Sequence, residues 1–315
     1  MTPTFAALPP TATDTIPHHR LVTTKAINRR DWLLGAASAV AVGSLAPASA
    51  AADDDESALK LGLVTYNWGK DWDIPTLLAN CTTTGFAGVE LRSTHRHGVE
   101  ITLDAAARQE VRQRFADSAV ELVGLGSACE YHSADPAEVK RNIDETVEFI
   151  RLCHDVGGSG VKVRPNGLPA DVPVEKTLAQ IGRSLNQVAR HAADYGVQIR
   201  LEVHGRGTSE LPHIKTIMDV ADHPNNVVCW NCNPQDLAGQ GLVHNFNLVR
   251  ERMGTVHIHD LRRDNYPWPE LFALLRDCQA PGFTGWTLIE EGGVPDDIVA
   301  AMHENRIVWE RLARG

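Results

Sequence analysis

The chain has 315 residues, of which 43% are hydrophobic and 22% are charged, so it can bury a large core. Its formal net charge is −10, and the first fifty residues carry four Lys/Arg against two Asp/Glu, which leaves −12 on the remainder. An acidic chain is repelled by nucleic-acid phosphates and by anionic membrane surfaces, so we expect neither as a partner.

The N-terminal fifty residues are predicted to lie outside the fold. Residues 1–28 are rich in Thr, Pro and Ala without an apolar period, which is typical of disorder. Arg29 and Arg30 then precede a weakly apolar run, Trp32 to Pro47, and the small residues 48–50. The run has about 16 residues, fewer than a bilayer-spanning helix needs. This order of charged, apolar and small residues resembles a twin-arginine signal peptide.

From this signal we expect cleavage after Ala50 and a periplasmic or otherwise exported protein with no stable membrane anchor. A plain disordered tail and a bilayer anchor are the alternatives. Residues 51–59 then form an acidic linker, and residues 60–315 form the folded domain. The six cysteines are scattered over separate elements, and twin-arginine cargo generally folds before export, so we expect them to be reduced.

After residue 60 the chain repeats a strand followed by an amphipathic helix. The apolar runs that predict strands are spaced by about 25 to 40 residues, as in βα units. They begin near Leu61, Phe86, Val120, Gly160, Val197, Val227, Thr255 and Phe283. Eight such units predict a single-domain (β/α)8 TIM barrel of the α/β class. An open doubly wound sheet is the alternative, but its glycine-rich first turn is missing here.

Three helices between these strands have clear boundaries in the sequence. Asp135 is predicted to cap one helix, with Glu138 completing a capping box. The helix before the fifth strand is predicted to stop at Gly196. The last helix is predicted from about Pro295 to Leu312.

Polar residues end four successive strands. In the fifth strand, alternation of apolar and polar residues places Glu202 and His204 on one face. The three later strands carry Asn231, His257 and Glu290 at their ends. The carboxyl ends of barrel strands meet at one face, where active sites of this fold lie. This set of residues predicts a metal site.

Four segments together resemble the xylose-isomerase-like TIM-barrel superfamily, the sugar phosphate isomerase/epimerase group. They are LEVHG at 201–205, WNCNP at 230–234, GTVHIHD at 254–260 and GWTLIEE at 285–291, and the likeness extends over residues 61–312. The resemblance implies a divalent metal held by Glu202, Asn231, His257 and Glu290. These ligands suit Mn²⁺, Mg²⁺ or Co²⁺, and Zn²⁺ is compatible. The chain departs from the family in Asn231, where an Asp is usual, and in Pro234, where sugar epimerases often have a substrate-binding His.

The resemblance also implies a reaction. In such epimerases one metal-ligating glutamate removes a proton alpha to a carbonyl and the other returns it, through a metal-held enediolate. These catalytic roles transfer to Glu202 and Glu290, which predicts a metal-dependent isomerase or epimerase of a sugar or keto-sugar. A lyase acting on a 3-keto-glycoside is one alternative. A non-catalytic sugar-binding barrel is another, and an endonuclease is disfavoured by the charge.

Substrate contacts are expected from polar and aromatic residues near the strand ends. Our candidates for binding a small-molecule sugar are Lys162, Arg164, His204, His259 and Trp68, and the resemblance adds Arg263, which matches the family's frequent Arg six residues past the metal-binding His. For the two cations the alternative is an ion pair with Glu202 or Glu90, and for Trp68 it is core packing. Further polar clusters follow the second and third strands, at Glu90, Arg92, His95 and His97 and at Glu130 and His132. A homo-oligomer remains open.

Overall fold

The computed structural model describes residues 59–315. The twin-arginine segment, the cleavage point after Ala50 and most of the acidic linker lie outside the described residues, so these expectations stay predictions. Within the described part, no helix is long and apolar enough to cross a membrane.

Eight parallel strands form a closed barrel in chain order, and β1 pairs with β8 to complete it. The strands are β1 Lys60–Val64, β2 Gly88–Arg92, β3 Glu121–Glu130, β4 Gly160–Arg164, β5 Gln198–Glu202, β6 Asn226–Asn231, β7 Met253–Ile258 and β8 Trp286–Ile289. The predicted (β/α)8 barrel is confirmed. The eighth strand begins at Trp286, three residues after the start expected from the apolar run at Phe283.

Eight α-helices surround the sheet. They are α1 Ile74–Thr84, α2 Ala105–Ala116, α3 Pro136–Val156, α4 Val174–Asp194, α5 Leu211–Val220, α6 Leu242–Val249, α7 Trp268–Arg276 and α8 Ile298–Arg314. Two 3-10 turns, Pro234–Leu237 and Arg250–Arg252, flank α6. The helix predicted to stop at Gly196 is α4, and the last predicted helix is α8, which begins three residues later than expected.

The start of α3 differs in detail from the sequence pattern. Asp135 caps the helix as expected, because its carboxylate accepts a hydrogen bond from the backbone N–H of Ala137 at 2.9 Å. The capping box does not form, however. The Glu138 carboxylate instead accepts from the Ser133 hydroxyl at 2.7 Å, so the nearby hydroxyl takes the place of the backbone donor.

The apolar core has two parts. The larger lies between the sheet and the helices and contains most of the buried hydrophobic residues. The smaller lies inside the barrel and consists of Val64, Val123, Trp286 and Leu288. Other side chains that point into the lumen lie between this cluster and the carboxyl ends of the strands. The barrel lumen therefore contains only a small apolar cluster, and the rest of it is polar.

Arg200 lies in the barrel lumen and is fully buried. Its guanidinium donates to the carbonyl oxygen of Val123 and to the Ser159 hydroxyl, both at 2.9 Å. Gly160 makes room for it, since a Cβ at that position would lie 2.3 Å from the Arg200 Cζ. A cation thus lies two residues before Glu202, on the same face of β5.

Candidate metal centre

Three strands bring their carboxyl-end side chains to one point in the lumen. Glu202 ends β5, His257 lies near the end of β7, and Glu290 directly follows β8. One ligand atom from each of the three lies within 4.8 Å of the others. The His257 Nδ1 is 3.2 Å from the Glu290 Oε2 and 3.8 Å from the Glu202 Oε1. An imidazole between two carboxylates is a donor set for a divalent cation.

Asn231 extends this cluster from β6. Its Nδ2 donates to the Glu202 Oε1 at 3.0 Å, while its buried Oδ1 has no hydrogen-bond partner among residues 59–315. A buried carbonyl oxygen without a donor is costly, and a cation would satisfy it. The donor set of three oxygen ligands and one nitrogen therefore fits Mn²⁺, Mg²⁺ or Co²⁺. As ligands, Glu202, Asn231, His257 and Glu290 would hold the ion.

Lys162 lies beside this cluster and is paired with it. Its Nζ is 2.7 Å from the Glu202 Oε2, and both side chains are almost fully buried. Burial raises the pKa of Glu202, but Lys162 and His257 lower it more, so the net pKa lies well below its ordinary value. The pKa of Lys162 is raised in spite of burial, because Glu202, Glu290 and Glu90 favour its charge. Lys162 thus forms the ion pair with Glu202 that was the alternative to a substrate contact.

His257 is enclosed by carboxylates on both sides of its ring. Its Nε2 faces the fully buried Glu90, whose Oε1 is 3.3 Å away. Burial lowers the pKa of His257, yet Cys229, Glu90 and Glu290 raise it well above the ordinary value. Glu90 was expected as part of a polar cluster or as an ion-pair partner of Lys162 or Arg164, and the structure places it directly behind the candidate ligand His257. A carboxylate in that place orients a metal-binding imidazole.

Glu290 is the more accessible of the two glutamates. Its side chain is 12% exposed, against 2% for that of Glu202. The Oε2 of Glu290 bonds to the His257 Nδ1, and its other oxygen has no hydrogen-bond partner in the described part of the chain. Both oxygens of Glu202, in contrast, accept bonds from Lys162 and Asn231. One oxygen of Glu290 is therefore free to meet a ligand.

Two predicted substrate-binding histidines lie at the rim of the site, each held through Nδ1. The His259 Nδ1 lies 2.7 Å from the Glu290 carbonyl oxygen, and the His204 Nδ1 lies 2.7 Å from the Asn166 Oδ1. Both side chains are half-buried. Their contact with a sugar stays a prediction.

The other predicted substrate contacts have different surroundings. Arg164 is paired with Glu130 at 2.6 Å, and the side chain of Arg263 is 53% exposed. Trp68 is fully buried, and its indole N–H donates to the Gly293 carbonyl oxygen at 2.7 Å. Its ring faces are covered by the core, so the packing alternative describes Trp68 better than stacking on a sugar.

The sequence reasoning did not identify Asn166 or Arg200. Asn166 has a φ of +54° and links His204 to Glu130. Its signal was the Pro165-Asn166-Gly167 turn, since Asn tolerates the left-handed region. Arg200 was visible as a polar residue in an alternating strand. Its position in the closed lumen, however, depends on strands that are distant in sequence.

Comparison with known proteins agrees with this fold. The family model for the xylose isomerase-like TIM barrel matches residues 78–306. L-ribulose 3-epimerase of Methylomonas sp. (strain DH-1) is 22% identical over 230 residues, which cover 68% of this chain and 79% of that protein.

Two solved structures show the same fold at low identity. Apo 3-keto-D-glucoside 4-epimerase from E. coli superposes with a TM-score of 0.67 at 15% identity, covering 80% of this chain and 99% of that one. The IolI protein with a bound zinc atom gives a TM-score of 0.64 at 14% identity, covering 81% of this chain and 96% of that one.

Metal binding is expected to strengthen as pH rises. Burial lowers the pKa of His257, but Cys229 and the carboxylates raise it well above its ordinary value, so the metal-free ring holds its second proton more tightly than a free imidazole does. A ligand nitrogen must be bare, so each bound ion displaces a proton. Affinity should therefore rise with pH throughout the range below the raised pKa of His257 and level off above it. Calorimetric Mn²⁺ titrations in buffers of different ionisation enthalpy measure both quantities.

The control for this experiment is His213→Gln, which removes a histidine on α5 outside the cluster and should leave proton release unchanged. Affinity that is independent of pH, with no proton released, would show that His257 is not a ligand.

Asn231→Asp is expected to tighten Mn²⁺ or Mg²⁺ binding. The substitution adds a charged oxygen ligand for a hard cation, and it removes the donor to the Glu202 Oε1, which lowers the stability of the metal-free protein. Gln235→Glu adds the same charge at an exposed position four residues later and serves as the control. Calorimetry measures the dissociation constants. Equal constants for the wild-type protein and Asn231→Asp would place Asn231 outside the ligand set.

Proposed function

The chain belongs to the xylose isomerase-like TIM-barrel family, and from that membership and its own site we propose a metal-dependent isomerase or epimerase of a sugar or keto-sugar. One observation carries the proposal. Glu202 and Glu290 both lie beside the His257 Nδ1, at 3.8 and 3.2 Å, so two carboxylates share one buried site. Moving a proton on and off carbon needs two such groups, one to accept it and one to return it.

The surroundings of the two glutamates differ, and this assigns their roles. When bound, a divalent cation supplies a Lewis acid that polarises a substrate carbonyl oxygen. Glu290 has a free oxygen, so we assign it as the group that accepts the proton from carbon. Glu202 is held ionised by Lys162, so it can return a proton to carbon only after taking one from the Lys162 ammonium group, whose Nζ lies 2.7 Å from its Oε2; we assign this pair as the second proton-transfer group. Lys162 and Asn231 fix the orientation of the Glu202 carboxylate.

The relatives support the substrate class. One relative is a 3-epimerase of L-ribulose, and a similar structure is a 4-epimerase of a 3-keto-D-glucoside. Both substrates carry a carbonyl and hydroxyl groups, which suits a site with a cation and hydrogen-bonding histidines at its rim. We therefore propose a keto-sugar or its glycoside as the substrate, and Mn²⁺, Mg²⁺, Co²⁺ or Zn²⁺ as the ion.

A lyase that eliminates from a 3-keto-glycoside is the second candidate. A cavity of about 770 Å³ lies over the loops after β3, β4 and β5, and it is lined by residues that include His132, Leu168 and Arg206. This volume is typical of a ligand pocket and offers room for a group attached to the reacting ring. Elimination begins with the same proton abstraction, so Glu290 would serve both reactions.

A sugar-binding barrel without catalysis is the remaining alternative. Its support is Asn231 as a neutral ligand and Pro234, which stands exposed at the start of a 3-10 turn. Incubation of the metal-loaded protein in D₂O with L-ribulose and with a 3-keto-D-glucoside separates the two. Deuterium enters carbon in an enzyme, and a binding protein leaves the sugars unlabelled.

Glu290→Gln is expected to abolish proton exchange. The amide keeps the size of the side chain but cannot accept the proton, so the exchange rate should fall by about a hundredfold or more. The fold should persist, because Glu290 is partly exposed and has no ion pair with Lys162. NMR of deuterium incorporation gives the rate. Glu270→Gln on the exposed side of α7 is the control, and unchanged exchange in Glu290→Gln would assign the base to another residue.

Export through the twin-arginine signal is a separate proposal, and it is tested by Arg29→Lys combined with Arg30→Lys. The paired guanidinium groups are the part of the signal that the export receptor reads, so the precursor should stay in the cytoplasm. Cell fractionation measures this. Arg20→Lys makes the same exchange outside the pair and should leave export intact. Normal secretion of the double variant would exclude a twin-arginine signal.

A further inference from the structure

A chain of hydrogen bonds runs along the rim of the barrel from β3 to β5. The Asn166 Nδ2 donates to the Glu130 Oε1 at 2.5 Å, and the Asn166 Oδ1 lies 2.7 Å from the His204 Nδ1. Arg164 donates to the same Glu130 oxygen at 2.6 Å. We call Glu130, Asn166 and His204 the rim relay. None of the roles assigned so far to the metal cluster uses it.

The relay determines which nitrogen of His204 carries the proton. A carboxylate only accepts hydrogen bonds, so the side of the Asn166 amide that faces Glu130 must be its NH₂ group. The amide oxygen then faces His204, and this oxygen also only accepts. The Nδ1 of His204 must therefore be the N–H donor. In the neutral ring the Nε2 is then a bare acceptor.

The backbone holds Asn166 in the left-handed region, which few residues other than glycine and asparagine adopt. Its φ is +54°, and Gly205 packs directly against it. A Cβ at position 205 would lie 2.6 Å from the Asn166 Cα, so only glycine allows this close approach. A residue kept in the left-handed region by its neighbours is a frequent feature of functional sites. The loops after β4 and β5 are thus locked together at the relay.

The relay adjoins both the metal cluster and the large cavity. His204 lies two residues after Glu202, just beyond the end of β5, and its charge acts on the Glu202 carboxylate. The chain segments that directly follow the relay residues, at His132, Gly167, Arg206 and Gly207, line the cavity of about 770 Å³. The Nε2 of His204 has no hydrogen-bond partner among the described residues. An acceptor is therefore available at the junction of the two spaces.

We propose that Glu130 and Asn166 are positioning residues that hold His204 in its Nδ1–H form, so that Nε2 accepts a hydrogen bond from a substrate hydroxyl. This inference rests on the proposed function for the identity of the ligand, a hydroxylated ring such as a keto-sugar. A sugar hydroxyl can donate to Nε2, whereas a hydrogen or a methyl group in its place cannot. The relay thus selects for a hydroxyl beside the reacting carbon atoms.

The decisive test measures the tautomer of His204 by ¹⁵N NMR of the full-length protein at a pH where the imidazole is neutral. The signal is assigned with His204→Gln. The wild-type protein should show Nδ1–H and a bare Nε2. Asn166→Gly should keep the fold, because glycine adopts the positive φ freely, but it removes the amide. His204 should then redistribute between its two tautomers.

Asn166→Asp keeps the acceptor for His204 but removes the donor to Glu130. The carboxylate still accepts from the His204 Nδ1, so the Nδ1–H form should persist. Two carboxylates now meet where the amide donated to Glu130, so the thermal midpoint should fall below that of the wild-type protein. If the role of Asn166 is purely structural, the His204 tautomer should change in whichever variant loses stability. If Asn166 sets the tautomer, the tautomer should change in Asn166→Gly, whereas Asn166→Asp should lose stability and keep the Nδ1–H form.

His259 is an internal reference in the same spectra. Its Nδ1–H donates to the Glu290 carbonyl oxygen, which no side-chain substitution removes, so its signal should not change in either variant. Arg206→Ala, which lines the cavity outside the relay, should leave the His204 tautomer as in the wild-type protein. An Nε2–H form in the wild-type protein, or an unchanged spectrum in Asn166→Gly, would overturn the proposal.

The functional consequence is measured separately. Loss of one neutral hydrogen bond should weaken binding of L-ribulose or of a 3-keto-D-glucoside by up to about tenfold in Asn166→Gly. The Mn²⁺ dissociation constant should stay unchanged, since Asn166 touches no ligand of the cluster. If neither sugar binds the wild-type protein, the proposed function fails, and the tautomer experiment still decides the relay. Equal sugar affinity in the wild-type protein and Asn166→Gly would refute hydroxyl recognition by His204.

Discussion

The structure depends on the pairing of buried charges inside the barrel lumen. Glu90, Lys162, Arg200, Glu202 and His257 are all buried in the barrel. A buried charge without a partner is costly, so each of these groups needs a counter-charge or hydrogen bonds within reach. Lys162 pairs with Glu202, Glu90 faces His257, and Arg200 donates to a backbone carbonyl and a hydroxyl. Only a small apolar cluster lies in the lumen, so paired charges and hydrogen bonds fill most of its interior.

The same charge pairing gives the two glutamates of the candidate metal centre different surroundings. Because Glu202 is held by Lys162 and Asn231, its carboxylate keeps one orientation and remains ionised. Glu290 has no such partner and keeps one oxygen free. Two glutamates that resemble each other in sequence thus acquire different properties from their neighbours. That difference suits the proposed reaction, in which Glu290 would accept a proton from carbon and the Lys162–Glu202 pair would return one.

The rim of the barrel is organised by hydrogen bonds between neutral and charged groups. His204 and His259 are each held through Nδ1, one by the Asn166 side chain and the other by a backbone carbonyl. Both rings can therefore present Nε2 as an acceptor. The lumen supplies charge for a cation, and the rim supplies oriented acceptors for hydroxyl groups. A polyhydroxylated carbonyl compound matches this division.

The sequence alone was sufficient to predict the barrel and the residues at its strand ends. Apolar periodicity is a local property, so eight strands and the positions of Glu202, His257 and Glu290 follow from the order of residues. Contacts across the barrel are not local. The Lys162–Glu202 pair joins residues forty positions apart, and it depends on the register that sets Lys162 beside Arg200. The position of Glu90 behind His257 likewise requires closure of the ring. Tertiary structure therefore decided which charges pair and which ring nitrogen of His204 faces the Asn166 oxygen, because both depend on strand register and loop packing.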